Sequence, residues 1–148
     1  MNTKQGLDYA WRWFEYHAGQ RLVAFRFFLL ILGALVVGLT SSLKDGNVSF
    51  ASVISAAGAF ISFAFLMLEM RNEQLVNVGR DALRRLEDSQ DFQNLPSELK
   101  LLQIDRNRLF LFSHKFWLRL IYTACIALFL FLSWNPKIVL GLSSGKGV

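Results

Sequence analysis

The sequence predicts an all-α integral membrane protein with three transmembrane helices, of which the second and third extend into a cytoplasmic antiparallel helical bundle. Three observations predict it: 53% of the 148 residues are hydrophobic, the apolar residues gather into three long runs, and basic residues are spread very unequally between those runs. Each run is long enough, or nearly so, to cross about 30 Å of hydrocarbon as a helix. A soluble domain would instead alternate apolar and polar positions at helical or strand period.

The apolar runs cover residues 22–39, 48–68 and 116–134. In the first two, apolar residues occupy all sides of the helix, as they do in a helix that faces lipid. The Asp45-Gly46-Asn47 sequence between these runs is a strong turn signal, so we expect a tight helical hairpin. A cleavable signal peptide is not expected, because no small-residue cleavage site accompanies the first run.

The distribution of Lys and Arg predicts the orientation of these helices. The chain has a net charge of +5, and nine of its basic residues lie between residues 69 and 119, whereas the turn at 40–49 carries only Lys44. Basic residues hold loops on the cytoplasmic side of a membrane. We therefore expect a multi-pass protein of the bacterial inner (plasma) membrane, with a cytoplasmic N-terminus and a C-terminus on the far side. The basic balance is explained by topology and by membrane lipids, so no nucleic-acid partner is expected.

These features divide the chain into five segments. The expected segments are an amphipathic interfacial N-terminal helix at 1–20, a transmembrane hairpin at 21–70 with spans at about 22–40 and 48–70, cytoplasmic helical arms at 71–113, a third transmembrane helix at 114–135, and a flexible tail on the far side at 136–148. The second helix is expected to continue beyond Met70 because the apolar residues that follow keep helical period. Pro96, with Glu98 in the first turn, suits the start of the returning helix.

A face of small and hydroxyl residues marks the second run, and the first run carries a small-residue pair at Ala34 and Gly38. The members of the face in the second run are Ala51, Ser52, Ser55, Gly58, Ala59 and Ser62. One interpretation is a seam where helices pack closely. The other is the lining of a narrow pore, in which hydroxyls replace water of hydration. In a homo-oligomer both interpretations can hold together.

A cluster of ionisable residues is expected at one depth, near the cytoplasmic ends of the runs. Its members are Arg26, Glu69, Arg71, His114, Lys115 and Arg119. The first interpretation is snorkelling with local pairing, for example of Glu69 with Arg26 or Arg119. The second is a charged vestibule at a pore mouth, where His114 would respond to pH.

The cytoplasmic arms carry apolar positions at helical spacing and are expected to pack as an antiparallel pair that supplies contacts for oligomerisation. These positions are Leu75, Gly79, Ala82, Leu86, Leu99, Leu102 and Leu109. A chain with three spans cannot enclose a wide pathway alone, so a homo-oligomer is expected.

Catalytic chemistry has no signature in this sequence. The two histidines, His17 and His114, have no ligand-spaced partner, and the single Cys125 lies inside the third run. There is no H-E-x-x-H, no G-x-S-x-G and no glycine-rich phosphate loop. We therefore expect no enzyme activity, no metal and no cofactor. A membrane enzyme would need a cofactor or lipid near Arg26, Glu69 and Arg119.

The layout of residues 9–90 resembles the SLATT-type small membrane effectors of bacterial defence systems. The residues that carry the resemblance are the lead-in Tyr16–Arg26, the Asp45-Gly46 turn, and Glu69-Met70-Arg71-Asn72 leading to Arg84-Arg85-Leu86-Glu87. It implies a protein that opens or disrupts the membrane when a partner senses infection, without catalytic residues.

Two functions follow as hypotheses. The first is a homo-oligomeric effector that forms a pore or perturbs the membrane, for example in antiviral defence. It predicts that Ser55 and Ser62 face a central axis. The alternative is a non-catalytic anchor or adaptor that recruits a soluble cytoplasmic partner through its helices, and it predicts that the same serines are buried between helices.

Overall fold

A computed structural model describes residues 3–88 and 114–136, and the regular structure in these ranges is entirely helical. The helices are α1 (Thr3–Lys44), α2 (Val48–Glu87) and α3 (His114–Trp134). Each contains a stretch that is long and apolar enough to cross a membrane, judged by length and composition. The expectation of three such helices is therefore confirmed, whereas their insertion and the cytoplasmic bundle remain predictions.

The first helix is longer than its apolar run. It has 42 residues, or about 63 Å at 1.5 Å per residue, and it continues through residues 20 and 21 without interruption. The aromatic and charged residues that precede Leu22 therefore belong to the same helix as the apolar run. Whether this first part lies at a membrane surface, as the sequence suggests, remains a prediction.

The turn between α1 and α2 is built as the sequence predicts, around Asp45-Gly46-Asn47. The Asn47 N–H donates to the Ser42 carbonyl at 2.9 Å, and the Gly46 N–H donates to the Leu43 carbonyl at 3.1 Å. This pair of bonds is the Schellman motif, which satisfies the last carbonyls of a helix and requires a left-handed residue. Gly46 supplies it with a φ of 69°. Asn47 then caps α2, because its side-chain oxygen accepts from the Phe50 N–H at 3.1 Å.

The chain divides into two compact units. The first contains residues 3–23, 68–88 and 114–116 of the described ranges, and the second contains 24–67 and 117–136. Each unit therefore draws on all three helices, and each is described by itself.

The core of the second unit has two apolar clusters. One surrounds Phe129 and includes Leu39 and Ala59. The other joins Phe28 of α1 to Tyr122 of α3, whose ring centroids are 4.7 Å apart in an edge-to-face arrangement. These pairings fix the directions of the helices within the unit. Because Phe28 contacts Tyr122, and Leu39 and Phe129 belong to the other cluster, α1 and α3 run the same way. The Ser52–Ser133 and Gly58–Phe129 contacts show that α2 runs opposite to both.

The Gly46→Ala variant should be less stable than the natural protein by about 1–2 kcal/mol, because a Cβ is disfavoured in the left-handed conformation. Gly33→Ala is the matched control. Gly33 lies inside α1 with no atom near the position of an added Cβ, so alanine should stabilise the helix by about 0.5–1 kcal/mol. Thermal unfolding in detergent, followed by circular dichroism, measures both. Equal midpoints for the two variants would contradict the turn described here.

Candidate functional site

The small-residue face of α2 is buried within the second unit. Ser55 is 0% and Ser62 is 1% exposed, and Ala51, Gly58 and Ala59 are also buried, while Ser52 is half-buried. The ring of Phe129 lies directly on Gly58, so that a Cβ added there would come within 2.8 Å of the ring atoms. Glycine is therefore the residue that lets α3 approach α2 this closely.

The hydroxyl groups of this face are satisfied inside the chain. Ser55 Oγ donates to the Ala51 carbonyl at 2.9 Å, and Ser62 Oγ donates to the Gly58 carbonyl at 2.8 Å. Both bonds return to the carbonyl four residues earlier in the same helix, as buried serines commonly do. In a single chain these two serines therefore meet helix backbone and packed side chains.

A reciprocal pair of serines joins α2 to α3. Ser52 Oγ donates to the Ser133 carbonyl at 2.7 Å, and Ser133 Oγ donates to the Ser52 carbonyl at 3.4 Å. Interhelical hydrogen bonds of this kind hold helices together in an apolar environment. Ser52 was expected on the small-residue face, whereas no local pattern identifies Ser133, because its partner lies 81 positions away.

The small pair of α1 is divided between two environments. Gly38 faces α2, where its added Cβ would lie 3.5 Å from the Ile54 side chain, whereas Ala34 is exposed. The two residues therefore do not act as one packing motif within the chain.

The first unit contains a buried ion pair. Glu69 of α2 is 4% exposed, and both of its carboxylate oxygens are held by Arg21 of α1. One contact joins Arg21 Nε to Glu69 Oε2 at 3.3 Å, and the second joins the terminal guanidinium nitrogen to Oε1. Two parallel contacts of this kind fix the orientation of both groups. Arg26 and Arg119 were the expected partners of Glu69, whereas its partner is Arg21, at the last position before the first apolar run.

The other members of the predicted charged cluster are placed differently. Arg71 is exposed in the first unit, and Arg26 and Arg119 are exposed in the second. The side chains of His114 and Lys115 lie outside the described residues. The structure therefore shows a Glu69–Arg21 pair, and the vestibule stays a prediction.

The α1–α2 seam of the first unit is closely packed around Trp13 and Gly79. A Cβ on Gly79 would lie 3.0 Å from Trp13 and 3.3 Å from Phe14. The Trp13 indole N–H donates to the Leu75 carbonyl at 3.1 Å across the seam. The arm of α2 therefore packs against the N-terminal part of α1, which was not among its expected partners.

One face of the described part of this arm is buried within the chain, while the oligomerisation contacts expected for the arm remain predictions. Its buried residues are Asn72, Val76, Gly79 and Leu83. Of the predicted positions only Gly79 is buried, Leu75 and Leu86 are half-buried, and Ala82 is exposed. The remaining predicted arm positions, Leu99, Leu102 and Leu109, lie outside the described residues, and their packing stays a prediction.

Metal-binding geometry is absent from the described ranges, in which no three His, Cys, Asp or Glu side chains come together. Cys125 packs against both apolar clusters of the second unit. The buried His17 lies with its ring 4.6 Å from Trp13, and its Nδ1 is 3.0 Å from the Gln20 side-chain oxygen. These contacts account for His17 as part of the seam.

The described residues define an all-helical protein with three helices apolar enough to span a membrane. Its first unit holds the α1–α2 seam and a buried ion pair. No known family model matches the chain, and no solved structure is similar to it. One curated relative is CD-NTase-associated protein 19 of Escherichia coli, which is 38% identical over 82 residues. The match covers 54% of this chain and 54% of the relative, so the chain spans about half the length of the protein it matches. This relative supports the expected association with a bacterial defence system, but it does not support the SLATT family name.

Breaking the buried ion pair should destabilise the protein strongly. Glu69→Gln leaves the Arg21 guanidinium without its counter-charge, and such a loss typically costs about 3–5 kcal/mol. Asp81→Asn is the matched control, because the Arg84–Asp81 pair is solvent-exposed, 3.8 Å long and expected to contribute less than about 0.5 kcal/mol. Chemical denaturation in detergent measures both. The double variant Arg21→Met/Glu69→Leu should recover most of the loss. Equal effects of Glu69→Gln and Asp81→Asn would contradict the burial of the pair.

Filling the contact between Gly58 and Phe129 should also destabilise the chain. Gly58→Ala places a methyl group against the ring, and overpacking of this kind costs about 1–3 kcal/mol. Combining it with Phe129→Leu should recover part of the loss, since a smaller side chain leaves room for the methyl group. A double-mutant cycle on the free energy of unfolding tests the coupling. Additive effects would show that the two residues do not touch.

Proposed function

We propose that this chain is a small inner-membrane effector of bacterial antiviral defence, of the kind that works beside a CD-NTase in CBASS defence. The observation that supports it most is the 38% identity to CD-NTase-associated protein 19, combined with three helices apolar enough to span a membrane. The proposal keeps the function that the SLATT resemblance implies and does not depend on that family name. The chain perturbs the membrane as a homo-oligomer, with its N-terminus in the cytoplasm.

The buried serines influence how such an oligomer would work. Because Ser55 and Ser62 are covered within the chain and bond to helix carbonyls, a conducting path in the resting arrangement cannot use them as its lining. Conduction through this face requires α3 to leave Gly58. Alternatively, subunits meet through other faces and enclose the path between chains.

The rival function is a membrane anchor or adaptor without conductance. The same burial of Ser55 and Ser62 favours it, since it is what a sealed helical anchor needs. In that case, the polar surface of the first unit recruits a soluble cytoplasmic partner. The two functions make opposite predictions for the membrane potential.

Induced expression of the chain in bacteria should depolarise the inner membrane within minutes, as measured with a voltage-sensitive dye. Gly58→Leu provides a comparison, because its side chain would overlap the Phe129 ring and disrupt the second unit. A path that opens when α3 leaves Gly58 predicts increased depolarisation in this variant, whereas a path enclosed between intact subunits predicts its loss. Fractionation must show that equal protein reaches the membrane. An intact potential with abundant, oligomeric wild-type protein would overturn the effector and leave the adaptor.

Thiol labelling during depolarisation locates the path. Ser55→Cys and Ser62→Cys nearly preserve size, and both are made in a Cys125→Ala background. If the small-residue face of α2 opens, a water-soluble thiol reagent should label these positions only while the membrane is depolarised. Ser49→Cys, at an exposed position beside the turn, is the positive control, and Ala57→Cys, exposed on the apolar side of α2, is the negative one.

A further inference from the structure

We propose that α3 is a hinged cover on the small-residue face of α2, and that the Ser52–Ser133 pair is the latch that holds its C-terminal end closed. The inference rests on the proposed effector function and adds how the path of that effector is kept shut. Within the second unit, α3 is attached by two different kinds of contact. Packed aromatic rings hold it at Tyr122, and hydrogen bonds hold it at Ser133.

The latch caps the C-terminal end of α3. This helix ends at Trp134, so none of its own amides is placed to donate to the Ser133 carbonyl. Ser52 Oγ of α2 donates to that carbonyl at 2.7 Å, and Ser133 Oγ donates to the Ser52 carbonyl at 3.4 Å. The end of α3 is therefore capped by a side chain of the neighbouring helix, and this cap is lost when the two helices separate.

The latch lies where water can replace its hydrogen bonds. Trp134, the residue after Ser133, is 87% exposed, and Ser52 lies in the first turns of α2, which begins at Val48. In the proposed membrane location, this is the far-side border of the hydrocarbon. Water there can bond the freed carbonyl of Ser133. Each hydroxyl can turn to the carbonyl four residues earlier in its own helix, as the other serines of the face do. Opening therefore leaves no group of the latch without a partner.

The opposite part of α3 is suited to stay in place as a hinge. Tyr122 is 1% exposed, and its ring lies against Phe25 and Phe28 of α1, with ring centroids 6.5 and 4.7 Å away. Leu118, one turn earlier in α3, is buried in the same cluster. Neither water nor a lipid headgroup can substitute for contacts between packed aromatic rings. This cluster therefore holds α3 to α1 while the other end separates.

This arrangement sets the order in which two serines of α2 become accessible. Ser55 lies between Ser52 and Gly58, the positions at which α2 contacts Ser133 and Phe129. Ser62 lies four residues beyond Gly58, towards the hinge, because α2 and α3 run in opposite directions. A cover that opens at its latch therefore exposes position 55 before position 62. A cover hinged at its other end would expose them in the reverse order.

Thiol labelling of the purified full-length chain in lipid nanodiscs tests the latch without reference to conductance. Ser55→Cys and Ser62→Cys are each made in the Cys125→Ala background and treated with a small water-soluble thiol reagent. Adding Ser52→Ala and Ser133→Ala should raise the labelling rate at position 55 about 5–10-fold, because two interhelical hydrogen bonds are lost. Position 62 should be labelled more slowly than position 55.

Thr123→Ala is the matched control for the loss of a hydroxyl from α3. Its hydroxyl donates to the Arg119 carbonyl of the same helix at 2.8 Å, so its removal breaks no contact with α2. The control should leave the labelling rate at position 55 unchanged. An equal increase in the control, no increase in the alanine pair, or faster labelling at position 62 than at position 55 would overturn the latch.

Locking the latch tests its link to the effector function. Ser52→Cys/Ser133→Cys in the Cys125→Ala background is oxidised with copper phenanthroline to a disulfide, and ion flux is measured in reconstituted lipid vesicles before and after reduction. The bridged protein should lose at least nine-tenths of the wild-type flux, and reduction should restore it. Each single-cysteine variant, treated in the same way, should keep its flux. Failure of the two cysteines to bridge would contradict the contact itself.

The latch and the effector function can fail separately. Equal flux before and after bridging would overturn the latch and leave the effector function. Absence of flux and of depolarisation in the wild type, with faster labelling in the alanine pair, would overturn the effector function and leave the latch as a property of the second unit.

Discussion

The serine hydroxyls in the apolar stretches of these helices are hydrogen-bonded within the protein, and much of the described packing of the second unit follows from this constraint. Hydrocarbon offers no hydrogen bonds, so an unpaired hydroxyl or backbone group would cost several kcal/mol there. Ser42, Ser55 and Ser62 donate to carbonyls four residues back, and Ser52 and Ser133 bond each other across two helices. The second unit can therefore be apolar outside while holding hydroxyls within.

In the first unit, the buried group that needs a partner within the protein is a charged carboxylate rather than a hydroxyl. Glu69 is nearly inaccessible, and its charge is balanced by Arg21 on the facing helix. Replacing such a pair by apolar residues is often neutral or even favourable for stability, so stability alone explains its presence poorly. A pair of this type is better suited to fixing the register of α1 against α2. Trp13 and Gly79 support that register, since the indole bonds the Leu75 carbonyl and Gly79 leaves room for the ring.

The sequence was sufficient to predict the three apolar helices and the turn, but it could not identify most partners. The length of an apolar run is enough to predict a helix that could span a membrane, and Asp45-Gly46-Asn47 specifies a local turn, so both could be predicted. The partner of Glu69 depends on the rotation of α1 about its axis, which a run apolar on all sides does not reveal. The burial of Val76 and Leu83 within the chain was not predicted, and the contacts expected of Leu75 and Ala82 remain predictions. The pattern placed the serines on one helix face, but it could not separate a packing seam from a pore lining.

The contact between Gly58 and Phe129 has an evolutionary consequence. A ring seated on a glycine leaves no space for independent change, because any larger residue at position 58 must be matched by a smaller one at position 129. Among relatives that share this arrangement, the two positions should vary together, although 71 positions separate them. Exposed apolar positions such as Leu30 and Phe60 carry no such restriction and can change among apolar residues. Sequences of such relatives should therefore show positions 58 and 129 as a correlated pair, while exposed apolar positions vary independently.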